Sequence, residues 1–394
     1  MRVPAILRQV LKTCRQEVHA KRFAAMLAVI GGIVGGRKLS LTAIGRALGG
    51  RTYPKHSIKR VDRLLSNEHM DAERQMYFRD MAALLIGPCP RPVVLLDWTK
   101  MTDNFHALVA AVPIGGRALT IYEEVHPERK LGSPRVQKEF LRRLRQVLPV
   151  NCRPIIVTDA GFQGPFFSQV QRLGWDFVGR LRGFAKMISE AGGEWKTVAD
   201  LQATAGRGPR DMGAFRLYKR SKSVGARLVL AGKRRRHRKH PWTGRWSAQG
   251  GTSLSTISGA KEPWLLATSI PSDSAERIIG IYATRMQIEE TFRDAKNHRF
   301  GWCLRHVRGY RAVRLTLLLL FAVLAILAVT LLGLAASAAG RQRRYQANTA
   351  RTKVLSFFVL GAAIVQRRDY AGLPDVVRHG RTHCHDALAA LCPT

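Results

Sequence analysis

Hydrophobic spacing divides the chain into a helical beginning, a strand-rich middle and a helical end. Leu41 to Leu48 (LTAIGRAL) has apolar residues at helical spacing, and GGRTYPK is a Gly- and Pro-rich turn. HSIKRVDRLLSN then resumes a helix with Ile58, Val61, Leu64 and Leu65 on one side. From about residue 90 the period changes to that of strands. VVLLDW (93–98), FHALVAAVPI (105–114), a Gly115-Gly116 turn and RALTIYEEV (117–125) predict a strand followed by a hairpin. A helix over 136–148, the apolar strand PIIVTD (154–159), a helix near 163–173 and a strand over 175–182 come next. Three strands, helix, strand, helix, strand is the order of a mixed sheet with helices packed on it, an α/β arrangement.

Residues 185 to about 260 interrupt that order with Gly-rich, basic and weakly strand-like sequence. The last strand expected is WLLATSI (264–270). A helix then begins near Pro271, with Asp273 and Glu276 spaced as a capping box, and runs to about Lys296. Leu315 to Gly340 is uncharged and long enough to cross a bilayer, with Arg314 before it and Arg341, Arg343 and Arg344 after. A helix apolar all round suits the centre of a large protein equally well. The expected divisions are a helical region at 1–75, a first α/β part at 76–184, a basic insertion at 185–262, a second α/β part at 263–345 and a C-terminal region at 346–394, a candidate for dimerisation.

Charge narrows the class of partner. The chain of 394 residues holds 65 Lys and Arg against 27 Asp and Glu, a formal charge of +38, which calls for a polyanion. Between 205 and 240 there are thirteen Lys or Arg and one acid, Asp211, including the run from Lys233 to Lys239. Trp242, Trp246 and Trp264 lie in or just after this stretch, where rings can stack on bases. Lys59, Arg60 and Arg63 project from the outer side of the second N-terminal helix, suited to DNA phosphates or guanine edges. The six cysteines are scattered without a CxxC pair, which fits a reducing cytoplasm. His383, Cys384, His385 and Cys392 have poor spacing for tetrahedral zinc.

Against this basic background three acids stand out. Asp97 and Asp159 each end an apolar run, which sets both at the C-terminal ends of buried strands, where α/β sheets hold ligands. Buried aspartates call for a partner or a metal, and an all-oxygen donor set suits Mg²⁺ or Mn²⁺. For either alone, a turn or capping role is the simpler reading. Glu289 follows on a helix where Tyr282, Arg285, Glu289 and Lys296 fall on one stripe about 60° wide. Such a stripe is also what an exposed face with intrahelical ion pairs looks like.

The spacing Tyr282, Arg285, Glu289, Lys296 resembles the YREK signature of IS4-family insertion-sequence transposases. LLDWT and VTDAGF around Asp97 and Asp159 are similar to that family's first two DDE motifs, and ALGGRTYPKHSIKRVDRLLSN resembles its N-terminal DNA-binding segment. The resemblance spans roughly 40–350. It implies a ribonuclease H-like core interrupted by a mainly β insertion, a helical DNA-binding domain with a helix-turn-helix-like segment, and a buried apolar helix behind the catalytic one. It implies two Mg²⁺ ions, replaceable by Mn²⁺, held by Asp97, Asp159 and Glu289, with nicking, hairpin formation and strand transfer at transposon ends. Tyr282, Arg285 and Lys296 would contact phosphates, and Trp264 or Trp242 a flipped base. Double-stranded DNA and a second copy of the chain are the expected partners, without a membrane, in a bacterial cytoplasm at the nucleoid. The rivals are a membrane-anchored nucleic-acid-binding protein, a ribonuclease H-like nuclease without strand transfer, and a decayed, inactive transposase copy.

Overall fold

The computed structural model describes residues 3–183, 185–218, 223–232, 262–296, 311–350 and 352–392, without the side chains of 295 and 296. They pack as two compact units, Met1–Pro154 with Thr284–Thr394, and Ile155–Ala283. The basic run from Lys233, Trp242 and Trp246 lie outside the described residues.

The first unit opens with seven helices among the described residues: α1 (Val3–Val10), α2 (Lys12–Glu17), α3 (Ala20–Gly36), α4 (Leu41–Ala47), α5 (Pro54–Leu65), α6 (Glu68–Ala72) and α7 (Arg74–Ile86). α4 and α5 flank the expected turn. The Ser40 side chain caps α4 by accepting from the Ala43 amide, and Pro54 sits in the first turn of α5, where its missing N–H costs nothing. Gly45 lets the two helices touch, since a Cβ there would lie 2.6 Å from the Ile58 Cα. Ser57, Val61, Leu64 and Leu65 are buried, while Lys59, Arg60 and Arg63 are exposed.

Strands β1 (Val93–Thr102), β2 (Phe105–Pro113) and β3 (Ala118–Pro127) pair antiparallel. Gly115 and Gly116 have φ of +88° and +84°, and the Ile114 amide donates to the Arg117 carbonyl at 2.8 Å. Two successive positive φ values are what a two-residue hairpin turn demands, and glycine meets that demand without strain. One expectation fails here. Asp97 lies mid-strand, because β1 does not stop with its apolar run but continues to Thr102, its polar half held by pairing with β2. Helix α8 (Pro134–Val147) then packs beside β3 and α7, with Val136, Phe140, Leu141, Leu144 and Val147 buried along one side.

The second unit carries β4 (Ile155–Thr158), α9 (Gly164–Arg172), β5 (Asp176–Leu181), β6 (Lys186–Ser189), β7 (Lys196–Thr197), α10 (Val198–Ala203), β8 (Arg210–Leu217), β9 (Val224–Ala231), β10 (Trp264–Thr268) and α11 (Ala275–Ala283). Its strands run in the order β4-β5-β10-β9-β8-β6-β7, with β4 and β5 parallel and the other pairings described there antiparallel. The described part of the basic insertion is therefore mainly β, and its strands prolong the sheet instead of forming a separate layer.

The chain returns to the first unit with α12 (Met286–Lys296), α13 (Ala312–Ala338), α14 (Gln342–Tyr345), α15 (Phe357–Arg367) and α16 (Val376–Ala389). α13 is long and apolar enough to cross a membrane, yet of the residues from Leu315 to Ser337 only Ile326 is not buried. It packs against α1, α3, α15, α16 and β3. At its crossing with α15 the backbones meet: a Cβ on Gly333 would lie 1.7 Å from the Phe357 oxygen, and one on Gly361 1.9 Å from the Val329 oxygen.

Candidate active site

The pairing register settles which carboxylates share a face of the β1–β3 sheet. Asp97 pairs with Val109, which pairs with Glu123, while Trp98 pairs with Leu108, which pairs with Glu124. Residues paired across antiparallel strands project to the same side and their chain neighbours to the other. Asp97 and Glu123 therefore share one face, Trp98 and Glu124 the opposite one.

Arg285 reaches Asp97, with a guanidinium nitrogen 3.6 Å from Oδ2, and donates to Glu289 Oε1 four residues further on. The side chains of Arg285 and Asp97 are only 13% and 14% exposed, against 37% for Glu289, so the pair is shielded and opens to solvent at the glutamate. Helix α12 is fixed along the outer edge of the hairpin. The Gly115 amide donates to the Gln287 side chain at 3.2 Å, the Ala118 amide donates to the Thr291 hydroxyl at 2.9 Å, and Arg117 Nε donates to Asp294 at 2.8 Å. These bonds cover an edge strand and hold Glu289 at a set place along it.

The single helix expected from Pro271 to Lys296 is two helices. It breaks at Thr284 and Arg285, whose carbonyls accept from Gln287 and Ile288 in tighter, three-residue turns that start α12 afresh. The cap of α11 is Ser274, which accepts from the Arg277 amide at 3.3 Å, whereas Asp273 pairs with the Arg277 side chain. Tyr282 and Glu289 therefore belong to different helices, not to the one expected. Glu289 instead occupies the first turn of α12, where a carboxylate is favoured by the unpaired amides. The Lys296 side chain lies outside the described residues.

In the second unit Asp159 follows β4 directly, as expected, and its Oδ1 accepts from the Gly161 amide at 2.9 Å. The β4–β5 pairing ends one residue before Asp159, at Thr158 with Gly179. Tyr282 is buried, packs edge-on against Trp264 with ring centroids 5.0 Å apart, and hydrogen-bonds with the Arg180 guanidinium. Glu262 accepts from Arg180 at 3.0 Å and from Arg182 at 2.7 Å. Burial lowers the Arg180 pKa below its usual range. Sequence reading missed this arginine pair; the signal was two cations at alternate positions of WDFVGRLR, at the end of a mostly apolar strand.

Among the described residues no group of three or more His, Cys, Asp and Glu could hold a metal ion. The zinc alternative fails on its own side chains: ring nitrogens of His383 and His385 lie at the carbonyls of Ile114 and Leu84, Cys384 is buried, and Cys392 meets Cys89. Asp97 and Glu289 fit a hard divalent cation in donor chemistry, being carboxylates from distant segments already drawn to one positive group.

The fold is mixed α/β, with Asp97 presented from a strand and Glu289 from the first turn of a helix. The family model described as transposase DDE domain matches residues 89–326, more than half of the chain, and the protein belongs to that family. Transposases of this family cut DNA and generally use divalent metal ions. No curated protein matches the chain.

Proposed function

We propose that the protein is an insertion-sequence transposase of the IS4 kind, which nicks transposon ends, closes a hairpin on the freed end and joins the excised element to target DNA. The observation that carries this reading is the convergence of Asp97 and Glu289 on Arg285, in a chain of the transposase DDE domain family whose YREK-like spacing resembles that of the IS4 group. Asp97, Asp159 and Glu289 would hold two Mg²⁺ or Mn²⁺ ions. When bound, such ions activate a water or a DNA 3′-hydroxyl and stabilise the leaving oxygen of in-line displacement.

The chain's own residues do the positioning. Arg285 turns its guanidinium from the carboxylates toward the scissile phosphate and Lys296 holds a neighbouring one, whereas the phosphate contact expected of Tyr282 is replaced by a supporting role, its buried ring backing Trp264 and its hydroxyl meeting Arg180. Trp264, half-exposed beside Tyr282, offers a ring on which an extruded base can stack. Lys59, Arg60 and Arg63 on the exposed side of α5 engage DNA at the element ends, in an N-terminal DNA-binding region. Two copies, each on one end, form the synaptic dimer in the bacterial cytoplasm. The burial of α13 by helices and a strand on every side supports this over a membrane-anchored binder.

The test is incubation of purified protein with Mg²⁺ and duplex DNA carrying the element's ends. Cleavage at the ends that stops on chelation and in Asp159→Asn, together with hairpin and joined products, is expected. Cleavage without joining would reduce the reading to a nuclease, and no cleavage would overturn it.

A further inference from the structure

Cys89 and Cys392 are 303 residues apart in sequence, yet their sulfurs lie 2.6 Å from each other, well inside non-bonded contact. Cys89 stands in the turn between α7 and β1, and Cys392 follows α16 close to the end of the chain. Both are partly exposed to solvent. The Cys392 thiol also points at the Arg91 carbonyl, 3.4 Å away, which steadies it over the same turn. Closure by about half an ångström separates these sulfurs from a bond of about 2.05 Å.

We propose that Cys89 and Cys392 are a modification site at which a peroxide forms one intramolecular disulfide, stapling the C-terminal helix α16 to the segment that leads into β1. The first thiolate attacks the peroxide, the O–O bond breaks, and one oxygen leaves as water or alcohol while the sulfur becomes a sulfenic acid. The second thiol displaces that oxygen as water, forming the S–S bond. Two thiols are oxidised, one peroxide is reduced, and no other reagent is needed.

The bond would close a very long loop, the geometry in which a disulfide constrains the unfolded chain most. It would also join α16, which packs on α13, α7 and β2, to the start of the strand carrying Asp97. Cys152 is close enough to interact electrostatically with both, and is the competitor that must be excluded. The neighbouring sulfur, with burial, raises the Cys89 pKa above the usual thiol range. Since the thiolate is the reactive form, the pair oxidises slowly at neutral pH and faster in alkaline solution.

The experiment treats the full-length protein with hydrogen peroxide at pH 8.5, blocks remaining thiols with N-ethylmaleimide and maps the peptides by mass spectrometry. One cross-linked pair, Cys89 with Cys392, is expected, reversed by dithiothreitol and retained in Cys152→Ser. Amide exchange in α16 is expected to slow at least tenfold in the oxidised protein. If both cysteines carry maleimide after oxidation, or either is linked to Cys152, the site is wrong. If the bond forms but exchange in α16 is unchanged, the staple is overturned. Wild-type mapping decides the site even where Cys392→Ser fails to fold.

Discussion

Glu124 and Asp97 lie on opposite faces of the same three strands, and each meets an arginine, but the two arrangements differ in how tightly that arginine is bound. Glu124 takes a two-pronged bond from Arg143, at 2.6 and 2.8 Å, a bond from the Tyr122 hydroxyl at 2.7 Å and a contact with His126 at 3.0 Å. One carboxylate is served by three side chains. On the other face one guanidinium is divided between two carboxylates, and its distance to Asp97, 3.6 Å, is longer than a hydrogen bond. The first is a matched structural ion pair. The second is looser, and geometry that tight pairing would lock is left adjustable.

The sharpest way to break this contrast is to remove one acid from each face. Glu289→Gln should slow DNA cleavage roughly 10³-fold, the scale of losing one support for transition-state charge. Its stability in denaturant melts should stay within about 0.5 kcal/mol of the parent, since Arg285 keeps a partner in Asp97. A large loss of stability would make Glu289 structural and erase the distinction. Glu124→Gln should do the reverse. It should cost about 1–3 kcal/mol of stability, because a buried charged acceptor loses its bonds, while cleavage per folded molecule is unchanged.

The Glu124 substitution also carries a pH signature. Burial opposes ionisation of Glu124, but bonds from His126, Arg143 and Tyr122 outweigh it and hold the pKa down to about 2, from an ordinary value of 4.5. A depressed carboxyl stabilises the fold fully above its unfolded value, and that contribution fades as pH falls from about 4.5 toward about 2. Melts of the parent and of Glu124→Gln should therefore converge in acid. Parallel curves down to pH 2.5 would mean that the carboxylate contributes nothing as a charge.

The fold was legible where pattern and turn chemistry agreed: the glycine hairpin, the helix pair around GGRTYPK, and the strand and helix order up to residue 182. The misreadings arose from tertiary pairing. β1 outlasts its apolar run because β2 supplies partners to Lys100 and Thr102, and no local rule reports a partner strand. The break at Thr284 and Arg285 has no Pro or Gly to announce it, so helical periodicity ran through it unseen. Asp97, Glu289 and Arg285 were singled out by spacing and motif, and their side chains meet in the fold. Arg180 and the Cys89–Cys392 contact were not, since both depend on chain segments that meet only after folding.

The smallest effect isolates the Asp97 face from its carboxylate neighbour. Glu123 is buried on that face, and burial raises its pKa well above 4.5 although the charge of Arg74 pulls the other way. A raised carboxyl acts in the opposite sense to Glu124: its contribution is fully present below the unfolded value and is lost as pH rises through the folded one. The folded chain must then keep a proton that the unfolded chain releases at neutral pH, a cost that grows until the folded group titrates. Gln carries the same shape without that proton, so Glu123→Gln should be more stable than the parent at pH 8, on the order of 1 kcal/mol, and lose this advantage near pH 4. Thermal melts at the two pH values decide it. A variant less stable than the parent at pH 8 would mean that Glu123 is ionised and paired, adding a charge to the face of Asp97 that the contrast with Glu124 leaves out.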